Sequence, residues 1–460
     1  MNLSDPSSSA SLDKAHAWHP FTPLDEWLDP DHLPIMIASA KGSWLVDEKG
    51  KEYLDGNSSI WTNTHGHCHP QMVRALQEQV ETLDHSSYLG LGHPLGSTLA
   101  QKLSQLTGLQ RILFSSDGSS AMEAAIKIAT QFFQQNGAPD RKIFITLHGA
   151  YHGDTVGNMS LGHSSHFHDP FRHLLFHTEA IPMPGCYQCP FNRASPEKAD
   201  ARTYRKCQWE CVTQAEEKMA SLGDKMAGLV IEPRVQGAAG MVMQPEGYLE
   251  KISAIPQSQG ALLIIDEIFT GFGRTGKMLA SQIPQLKPDI IALGKGLTGG
   301  TLPMAATALS ETLFNGFRGT YDRTFFHGHS YTANPISSRA ALTNLKIFDQ
   351  EQTLSKIKTL SAHLRKITSV FWKHDAVGDV RQEGLILAVE LVQNRTTKNP
   401  FPPQDRVAYK INKIAEGKGL LTRGIGSILF LVPPYSTTEG ELDQMIQILD
   451  DSISEYFKRK

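Results

Sequence analysis

The 460-residue chain has no long hydrophobic run and no excess of charge of one sign. Its longest apolar stretches, such as ALLII and LILAV, are far too short to cross a bilayer. The formal net charge is −3, and basic residues form no stripe or block, which disfavours nucleic acid and anionic membranes as partners. The opening MNLSDPSSSASLDKAHAW has no apolar core of a secretory signal. We therefore expect a cytoplasmic globular protein.

Cysteine is scarce, and four of the five cysteines fall in one short segment, as Cys186, Cys189, Cys207 and Cys211. Two close pairs separated by a loop could chelate zinc, although the spacing of the second pair is not the usual two-residue gap. The alternative is a surface insertion whose thiols stay reduced. The histidines between residues 148 and 177 follow no ligand spacing, and we expect most of them to be structural or solvated. We assign no metal-binding residue.

Apolar runs of strand length alternate with segments of helical spacing from about residue 70 onward. The runs RKIFITL, MAGLVIEP, ALLIIDE, DIIALG and MAATALS leave room for helices between several of them, which predicts a mostly parallel sheet covered on both faces. GSWLVDEKGKEYLDGNSS predicts a hairpin, and two helices are predicted after about residue 335. Residues up to about 30 look loose. The interpretation is an α/β protein with a large domain at 66–335 and a smaller α/β domain built from segments 1–65 and 336–460.

Three predicted strand ends lead into chemically distinctive residues. ALLIIDE reaches Asp266, DIIALGKG reaches Lys295, and RILFSSDGSS opens a helix at the amides of Gly118, Ser119 and Ser120. Because ligands in open α/β sheets bind beyond the carboxyl ends of strands, we expect these residues to lie together. Helix-start amides can bind a phosphate, and a lysine beside apolar residues loses its proton more readily.

Pyridoxal phosphate needs these groups together: a lysine for its Schiff base, an acid opposite its ring nitrogen and a cradle for its phosphate. Taken singly, Asp266 fits a capping acid, Lys295 a snorkelling side chain and the loop a simple helix cap. Their co-occurrence predicts the cofactor site. A rival is GFGRTGKM, which has the spacing of a P-loop. However, Met278 stands where a hydroxyl should hold magnesium, and the loop begins several residues beyond the strand end.

Longer stretches resemble the class III pyridoxal-phosphate aminotransferases. The signature is LLIIDEIFTGFGRTGKM followed by PDIIALGKGLTGG. Further segments resemble the branch of that family that makes 7,8-diaminononanoate in biotin biosynthesis: WHPFTP, SSIWTNTHGHCHP, AYHGDT, IEPRVQGAAGM, HGHSYTANP and LVPPY. The likeness runs from about residue 18 to 435. It implies a fold-type I homodimer that binds pyridoxal 5'-phosphate, with each active site at the subunit interface.

The resemblance implies a role for each matching residue. Lys295 would bind the cofactor and shuttle the proton, Asp266 would pair with the ring nitrogen, and Tyr151 would lie against the ring. The phosphate would be held by the helix start together with His329 and Ser330 of a neighbouring subunit. The implied cofactor-binding residues are Gly118, Ser119, Tyr151, Asp266, Lys295, His329 and Ser330.

The implied acceptor, 8-amino-7-oxononanoate, has an aliphatic chain that ends in a carboxylate. It requires an apolar channel with a cation at the far end, and Arg423 matches the family's carboxylate-binding arginine. Trp61 and Ile60 suit the channel walls, and Gly328 would let the substrate approach the backbone. Arg274 would either assist or be structural. The implied substrate-binding residues are Phe21, Ile60, Trp61, Tyr151, Asp154, Lys295, Gly328 and Arg423.

The implied amino donor is S-adenosylmethionine, with lysine as the alternative. Phe21 replaces the family's usual tyrosine and Ile60 the first of two adjacent tryptophans, which removes a hydrogen bond and a stacking surface. HGHSYT also resembles the lysine-using branch. Ala238 stands where related enzymes acting on ω-amino acids carry a glutamate, which disfavours a γ-aminobutyrate- or ornithine-type enzyme. Another class III aminotransferase, acting on a diamine or an ω-amino ketone, is the wider alternative.

Overall fold

The structure is a computed structural model that describes residues 8–162, 165–283 and 286–459. The strands β1 to β18 are, in chain order, Ile37–Lys41, Trp44–Asp47, Glu52–Asp55, Arg111–Ser115, Ile143–Leu147, Glu179–Ile181, Met226–Ile231, Val235–Gln236, Val242–Met243, Leu262–Asp266, Ile290–Leu293, Ala305–Leu309, Val377–Glu383, Ile386–Asn394, Asn399–Pro400, Leu420–Leu421, Arg423–Ile425 and Ile428–Leu431.

The helices α1 to α16 are Ser9–His16, Leu24–Leu28, Ser58–Trp61, Pro70–Thr82, Pro94–Thr107, Gly118–Gln135, Val156–Leu161, Ser165–His168, Ala201–Tyr204, Glu210–Leu222, Tyr248–Ser258, Glu311–Asn315, Pro335–Gln350, Thr353–Ile367, Val407–Gly417 and Glu439–Lys458. Short 3-10 segments occupy Asp169–Leu174, Gly223–Lys225, Lys295–Thr298, Tyr321–Arg323, Thr368–Lys373 and Pro403–Asp405. Within the described ranges, no helix combines the length and the apolar character needed to cross a membrane.

A seven-stranded sheet forms the centre of the molecule, in the order β4-β12-β11-β10-β7-β5-β6. β10 is parallel to both β7 and β11, whereas β12 is antiparallel to both of its neighbours. Strands β7, β10, β11 and β12 are buried along their whole length, as expected of a sheet covered on both faces. The predicted α/β fold with a mostly parallel sheet is confirmed.

Helix α6 carries its first turn to the edge of this sheet where β10 and β11 end. Asp117 caps the helix, because its Oδ1 accepts the amide of Ser120 at 2.8 Å. The buried face of α6 is rich in alanine, including Ala121, Ala125 and Ala129, so the helix packs closely on β11 and β12. The strand, loop and helix predicted from RILFSSDGSS are confirmed.

Among the described residues, three smaller sheets lie outside the central one. Their orders are β1-β2-β3-β16, β13-β14-β18-β17 with β15 paired to β14, and the two-stranded β8-β9. The predicted hairpin is the antiparallel pair β2–β3, and the two predicted helices after residue 335 are α13 and α14. β16 pairs in parallel with β3, which joins the two ends of the chain. The domain limits 1–65, 66–335 and 336–460 stay a prediction.

The expectation of loose chain up to about residue 30 is wrong for part of that segment, because α1 and α2 lie there. α1 forms because the Ser8 hydroxyl accepts the Ser11 amide at 3.3 Å, which satisfies one of the otherwise unpaired amides of the first turn. A single cap of this kind stabilises a short helix without an apolar stripe, so hydrophobic periodicity does not reveal it.

Arg274 fastens three distant segments together. It is 1% exposed, and its guanidinium donates to the carbonyl oxygens of Pro433 (2.9 Å) and Asn63 while lying 4.8 Å from the centre of the Tyr435 ring. Since a buried cation is costly unless it is hydrogen-bonded, these carbonyls account for its position. Arg274 was expected either to assist substrate binding or to be structural, and these contacts favour the structural role.

The turn between β13 and β14 packs closely against the loop that contains Arg274. Gly384 has φ +57, and a Cβ there would lie 2.3 Å from the Arg274 carbonyl oxygen. Gly426, in the β17–β18 turn, has a similar φ of +59 but open space around it. We expect Gly384→Ala to lower the free energy of unfolding by about 3 kcal/mol, from strain plus a backbone clash.

The matched Gly426→Ala change should lower the free energy of unfolding by only about 1 kcal/mol, because it adds backbone strain without a clash. Denaturant unfolding of both variants beside the parent protein measures the difference. Equal losses in the two variants would contradict this account of the turn.

Candidate active site

Asp266 and Lys295 meet because they follow neighbouring parallel strands. Asp266 ends β10 in register with Ala292 of β11, three residues before Lys295. Asp266 is 5% exposed, and its two carboxylate oxygens accept the Nδ1–H of His152 at 2.7 Å and the amide of Ile268 at 3.0 Å. These donors satisfy a carboxylate that would otherwise be costly to bury.

Lys295 follows β11 in a left-handed backbone conformation, with φ 40, and begins a 3-10 turn. Its Nζ lies 5.0 Å from the centre of the Trp61 ring and 5.7 Å from that of Phe269. Burial lowers the pKa of Lys295 below its ordinary value, while the charges of Asp266 and Glu232 oppose that shift. The amine is thus biased toward its nucleophilic free-base form, as a Schiff-base lysine requires.

Two glycines meet beside the start of α6 where no side chain would fit. A Cβ on Gly118 would lie 2.9 Å from Cγ2 of Ile268, and one on Gly294 would lie 3.3 Å from the same atom and 3.6 Å from Cα of Gly118. The amides of Gly118 and Ser119 have no acceptor within the helix, as in any first turn. The Ser120 amide was also expected to be available, and this is wrong because Asp117 binds it.

Tyr151 and Asp154 form a hydrogen-bonded pair, as the phenol donates to the Asp154 carboxylate at 2.8 Å. Burial raises the pKa of Tyr151, and Asp154 raises it further, so the phenol keeps its proton. The ring of Tyr151 lies parallel to that of His168, with centroids 6.1 Å apart. The charges of Glu232 and Asp266 also raise the pKa of Tyr151.

A second group of predicted residues lies in a cleft of about 570 Å³. Phe21 and Arg423 both line it, and the Phe21 ring makes an edge-on contact with Phe167 at 5.5 Å. Arg423 begins β17 and is exposed. Ile60 is 50% exposed and precedes Trp61, whose ring lies beside the Nζ of Lys295. The cleft therefore has aromatic walls and includes the Arg423 cation, whereas Ile60 and Trp61 are not among the described residues that line it.

The remaining predicted residues, Gly328, His329 and Ser330, lie in a separate exposed segment. In this segment the His329 amide donates to the Thr332 hydroxyl at 3.0 Å, and Lys127 of α6 donates to Nδ1 of His327 at 3.1 Å. Space around Gly328 is open, with no atom within 4 Å of a Cβ placed there. Their contribution to a neighbouring subunit's site stays a prediction.

Glu232 was missed by the sequence analysis. It follows β7, whose Ile231 is in register with Ile265, so it lies beside Asp266 at the sheet edge. It is 7% exposed, and within the described residues its Oε2 has no hydrogen-bond partner. Burial raises the pKa of Glu232 well above its ordinary value, and Asp266 adds to the shift. The acid at the end of MAGLVIE was the available signal.

His152 and Phe269 were also missed. His152 was grouped with histidines expected to be structural or solvated, yet it is buried and orients Asp266. Phe269 contacts Trp61, with ring centroids 4.6 Å apart, and completes the aromatic wall beside Lys295. Nothing in the spacing of either residue marks it, because both contacts depend on the fold.

The P-loop interpretation of Gly271–Met278 is wrong. The segment forms turns closed by a hydrogen bond from the Phe272 amide to the Met278 carbonyl at 2.7 Å. In the described chain up to residue 283, no helix follows Lys277, whereas a P-loop opens directly into one.

The cysteine segment is not a wholly exposed insertion. Cys186 and Cys211 are buried, and burial raises their thiol pKa values to about 12 and about 11, so both stay protonated. All the cysteines are free thiols. Among residues 8–162, 165–283 and 286–459, no three Cys, His, Asp or Glu side chains are placed to hold a metal ion.

A family model described as aminotransferase class-III matches residues 28–453. The chain belongs to the class III aminotransferases. This aminotransferase is 41% identical to the adenosylmethionine-8-amino-7-oxononanoate aminotransferase of Geobacter sulfurreducens, over 98% of each chain. The crystal structure of the enzyme of that name from Methanocaldococcus jannaschii superimposes with a TM-score of 0.90 and 34% identity, covering 97% of this chain and 98% of the other.

An (S)-enantioselective omega-transaminase from Thermomicrobium roseum is also similar, with a TM-score of 0.89 and 29% identity over 97% of this chain and 98% of the other. The predicted fold-type I architecture is therefore confirmed. Class III aminotransferases depend on pyridoxal 5'-phosphate, and the residues present fit it. Three features that this cofactor needs are present. The close approach of Gly118 and Gly294 leaves room for a phosphate cradle, His152 orients the Asp266 carboxylate, and burial favours the free amine of Lys295.

The surroundings of Lys295 predict how it titrates in the enzyme stripped of cofactor. We expect its midpoint below the ordinary pKa of 10.5, because burial disfavours the ammonium. Asp266→Asn should shift the midpoint further down, since it removes a negative charge that stabilises that ammonium. Competitive acetylation across a pH series, read by mass spectrometry with N-acetyl-lysine amide as the reference, measures both values. An upward shift in Asp266→Asn would contradict the assignment.

Proposed function

We propose that this aminotransferase transfers an amino group from S-adenosylmethionine to 8-amino-7-oxononanoate, giving 7,8-diaminononanoate in biotin biosynthesis. The observation that carries the proposal is the 41% identity, over 98% of both chains, to a relative named for that reaction. The apolar walls and the arginine of the cleft match an acceptor with an aliphatic chain and a terminal carboxylate. A cytoplasmic location is part of the proposal.

The proposed catalytic residues are Lys295, Asp266 and Tyr151. When bound, pyridoxal 5'-phosphate supplies the electron sink that stabilises negative charge at the substrate carbon. The Nζ of Lys295 would hold the cofactor and would then take and return the proton at that carbon. Asp266, fixed by His152, would keep the ring nitrogen protonated. Tyr151 would lie against the ring, and Asp154 holds its phenol by accepting a hydrogen bond from it.

The phosphate is proposed to bind at the start of α6, at Gly118 and Ser119. The amides of the first turn and the positive end of the helix dipole favour an anion there. The Ser119 carbonyl accepts the side-chain amide of Asn158 at 2.7 Å, which holds this turn in place. His329 and Ser330 of a neighbouring subunit are proposed to complete the site.

Phe21, Ile60, Trp61, Gly328 and Arg423 are proposed to bind the substrates. A forked, charge-assisted contact from the guanidinium would fix the acceptor's carboxylate, and the aromatic and aliphatic side chains would exclude water from its chain. Removal of that water also strengthens each electrostatic contact within the site.

A homodimer is the proposed assembly. Large apolar side chains are exposed on the isolated chain near the segments expected to reach a neighbouring site. Leu89 is 91% exposed and Tyr321 is 80% exposed, and Leu91, Phe326 and Tyr331 are also exposed. Exposed apolar groups of this size are typical of a surface that another chain covers. A second copy would bury them and would bring Gly328 and its neighbours toward the other site.

Lysine is the alternative donor, with the same acceptor. Phe21 and Ile60 are the residues that favour it, because neither offers the hydroxyl or the aromatic face expected for an adenosine-bearing donor. A broader omega-transaminase activity is the second alternative, favoured by the similarity to the Thermomicrobium roseum enzyme. Ala238, in the loop beside Trp61 and Phe269, disfavours the ω-amino acid enzymes that use a glutamate there.

The donor comparison tests the proposed reaction. The holoenzyme is mixed separately with S-adenosylmethionine, lysine and β-alanine, and the visible band of the bound cofactor is followed. We expect S-adenosylmethionine to bleach the band fastest, and addition of 8-amino-7-oxononanoate should then restore the band and yield 7,8-diaminononanoate by mass spectrometry. Lys295→Ala is the control and should show no such cycle. Bleaching by β-alanine alone would refute the biotin-pathway assignment.

Arg423→Ala tests the carboxylate contact. Loss of a charge-assisted, forked hydrogen bond is worth about 1.5–3 kcal/mol, so we expect KM for 8-amino-7-oxononanoate to rise between about tenfold and a hundredfold. The KM of Arg423→Lys should lie between those of the parent and Arg423→Ala, because an ammonium keeps the charge but cannot make the forked contact. The surface change Arg111→Ala, which disrupts an exposed pair with Glu311 and a contact with the Phe314 ring, is the control. An unchanged KM in Arg423→Ala would remove Arg423 from the site.

A further inference from the structure

The short segment 57–62, which contains Trp61, is held in an unusual backbone conformation. Three of its non-glycine residues have left-handed φ values: 48 at Ser58, 61 at Ser59 and 59 at Trp61. L-residues rarely adopt this region, and such conformations persist only where surrounding contacts enforce them. The contacts that enforce this turn converge on one carboxylate.

That carboxylate belongs to Asp55, the last residue of β3, which is 2% exposed. Its Oδ1 accepts the amide of Asn57 at 3.0 Å, and the amide of Ser59 donates to both oxygens, at 3.1 and 2.9 Å. Its Oδ2 also accepts the Nε2–H of His67 at 2.8 Å. Asp55 therefore satisfies donors on both sides of the strained residues.

His67 is itself fixed by the chain that follows the turn. The side-chain amide of Asn63 donates to Nδ1 of His67 at 3.2 Å, so the ring's proton is on Nε2, facing Asp55. The side-chain oxygen of Asn63 accepts the Gly66 amide at 2.8 Å, and its backbone carbonyl accepts from Arg274. Hydrogen bonds thus connect Asp55, through His67 and Asn63, to the buried Arg274.

The turn places an aromatic ring beside the reactive amine. The indole Nε1–H of Trp61 donates to the side-chain oxygen of Asn57 at 3.0 Å, within the same turn. The ring packs on Phe269 and lies 5.0 Å from Nζ of Lys295. A Cβ on Gly237 would lie 3.1 Å from Cζ3 of Trp61, so the ring has no space to shift toward that loop.

We propose that Asp55, supported by His67, is a positioning residue that holds the strained 57–62 turn and thereby fixes Trp61 against Lys295. Asp55 does not touch the reacting groups. It acts through the backbone amides of Asn57 and Ser59. The cofactor bound at Lys295 would then meet an aromatic wall whose position is set before any substrate arrives.

The chain contains a matched control. Asp450 of α16 is 1% exposed and accepts Nε2–H of His374 at 2.7 Å and the ammonium of Lys373. It is therefore another buried aspartate paired with a histidine, and its partners lie in and directly after the 3-10 segment Thr368–Lys373 rather than in the site. Asp450→Asn should cost stability comparably to Asp55→Asn without changing the turn.

The test uses the holoenzyme and needs no substrate, so its outcome is independent of the proposed function. Amide hydrogen exchange of peptides covering residues 55–64 is measured by mass spectrometry in Asp55→Asn, Asp55→Ala and Asp450→Asn. We expect exchange in this segment to be faster by about tenfold in Asp55→Ala, as local opening becomes easier. Asp55→Asn keeps one accepting oxygen and should be intermediate, and Asp450→Asn should match the parent.

Circular dichroism of the cofactor's visible band reports the position of Trp61. We expect the Asp55 variants to change this band in the direction of Trp61→Ala, and Asp450→Asn to leave it unchanged. The proposal is overturned if exchange in Asp55→Asn matches the parent, or if Asp450→Asn gives the same effect. Faster exchange with an unaltered visible band would also overturn it, because Trp61 would then be positioned by other contacts. Asp55→Asn alone decides the matter if Asp55→Ala does not fold.

Discussion

Two opposing effects act on the amine of Lys295, burial and the nearby acids Asp266 and Glu232, and the surrounding architecture produces both. Burial penalises the ammonium, whereas Asp266 and Glu232 stabilise it. Adjacent parallel strands provide this geometry, because β7, β10 and β11 end at the same edge of the sheet. A slip of one residue in either pairing would turn the acids toward the opposite face.

The two carboxylates have different surroundings despite being neighbours. Asp266 receives two donors, from His152 and Ile268, which suits an ionised group. Glu232 has an oxygen without a hydrogen-bond partner among the described residues, and burial together with the charge of Asp266 raises its pKa well above its ordinary value. When one of two neighbouring acids has a raised pKa, both can occupy the same site without strong repulsion.

The sequence was informative wherever a local pattern determines the outcome. Strand-length apolar runs located β7, β10 and β11, and the residues after them located Asp266 and Lys295. The pattern could not reveal that β12 is antiparallel, because a buried strand looks the same in either direction. The similarity to a known family supplied Tyr151 and Arg423, which composition and spacing alone would have left as ordinary loop and surface residues.

Other features depend on contacts between distant segments and leave no local trace. His152 reaches Asp266 across more than a hundred residues, and Asp55 supports a turn whose strain arises from backbone conformation. The cysteine spacing suggested a metal site, but it contains no information on whether the thiols face one another. Packing in three dimensions determined each of these outcomes.

The pairing of β16 with β3 has a consequence for how the protein is made. Leu54 emerges from the ribosome long before its partner Leu420, so the first sheet is left with an open edge through most of translation. Arg274 likewise cannot complete its contacts until Pro433 is available. Closure over such long sequence separations is slow, and cofactor binding competence should therefore arise only after synthesis is nearly finished.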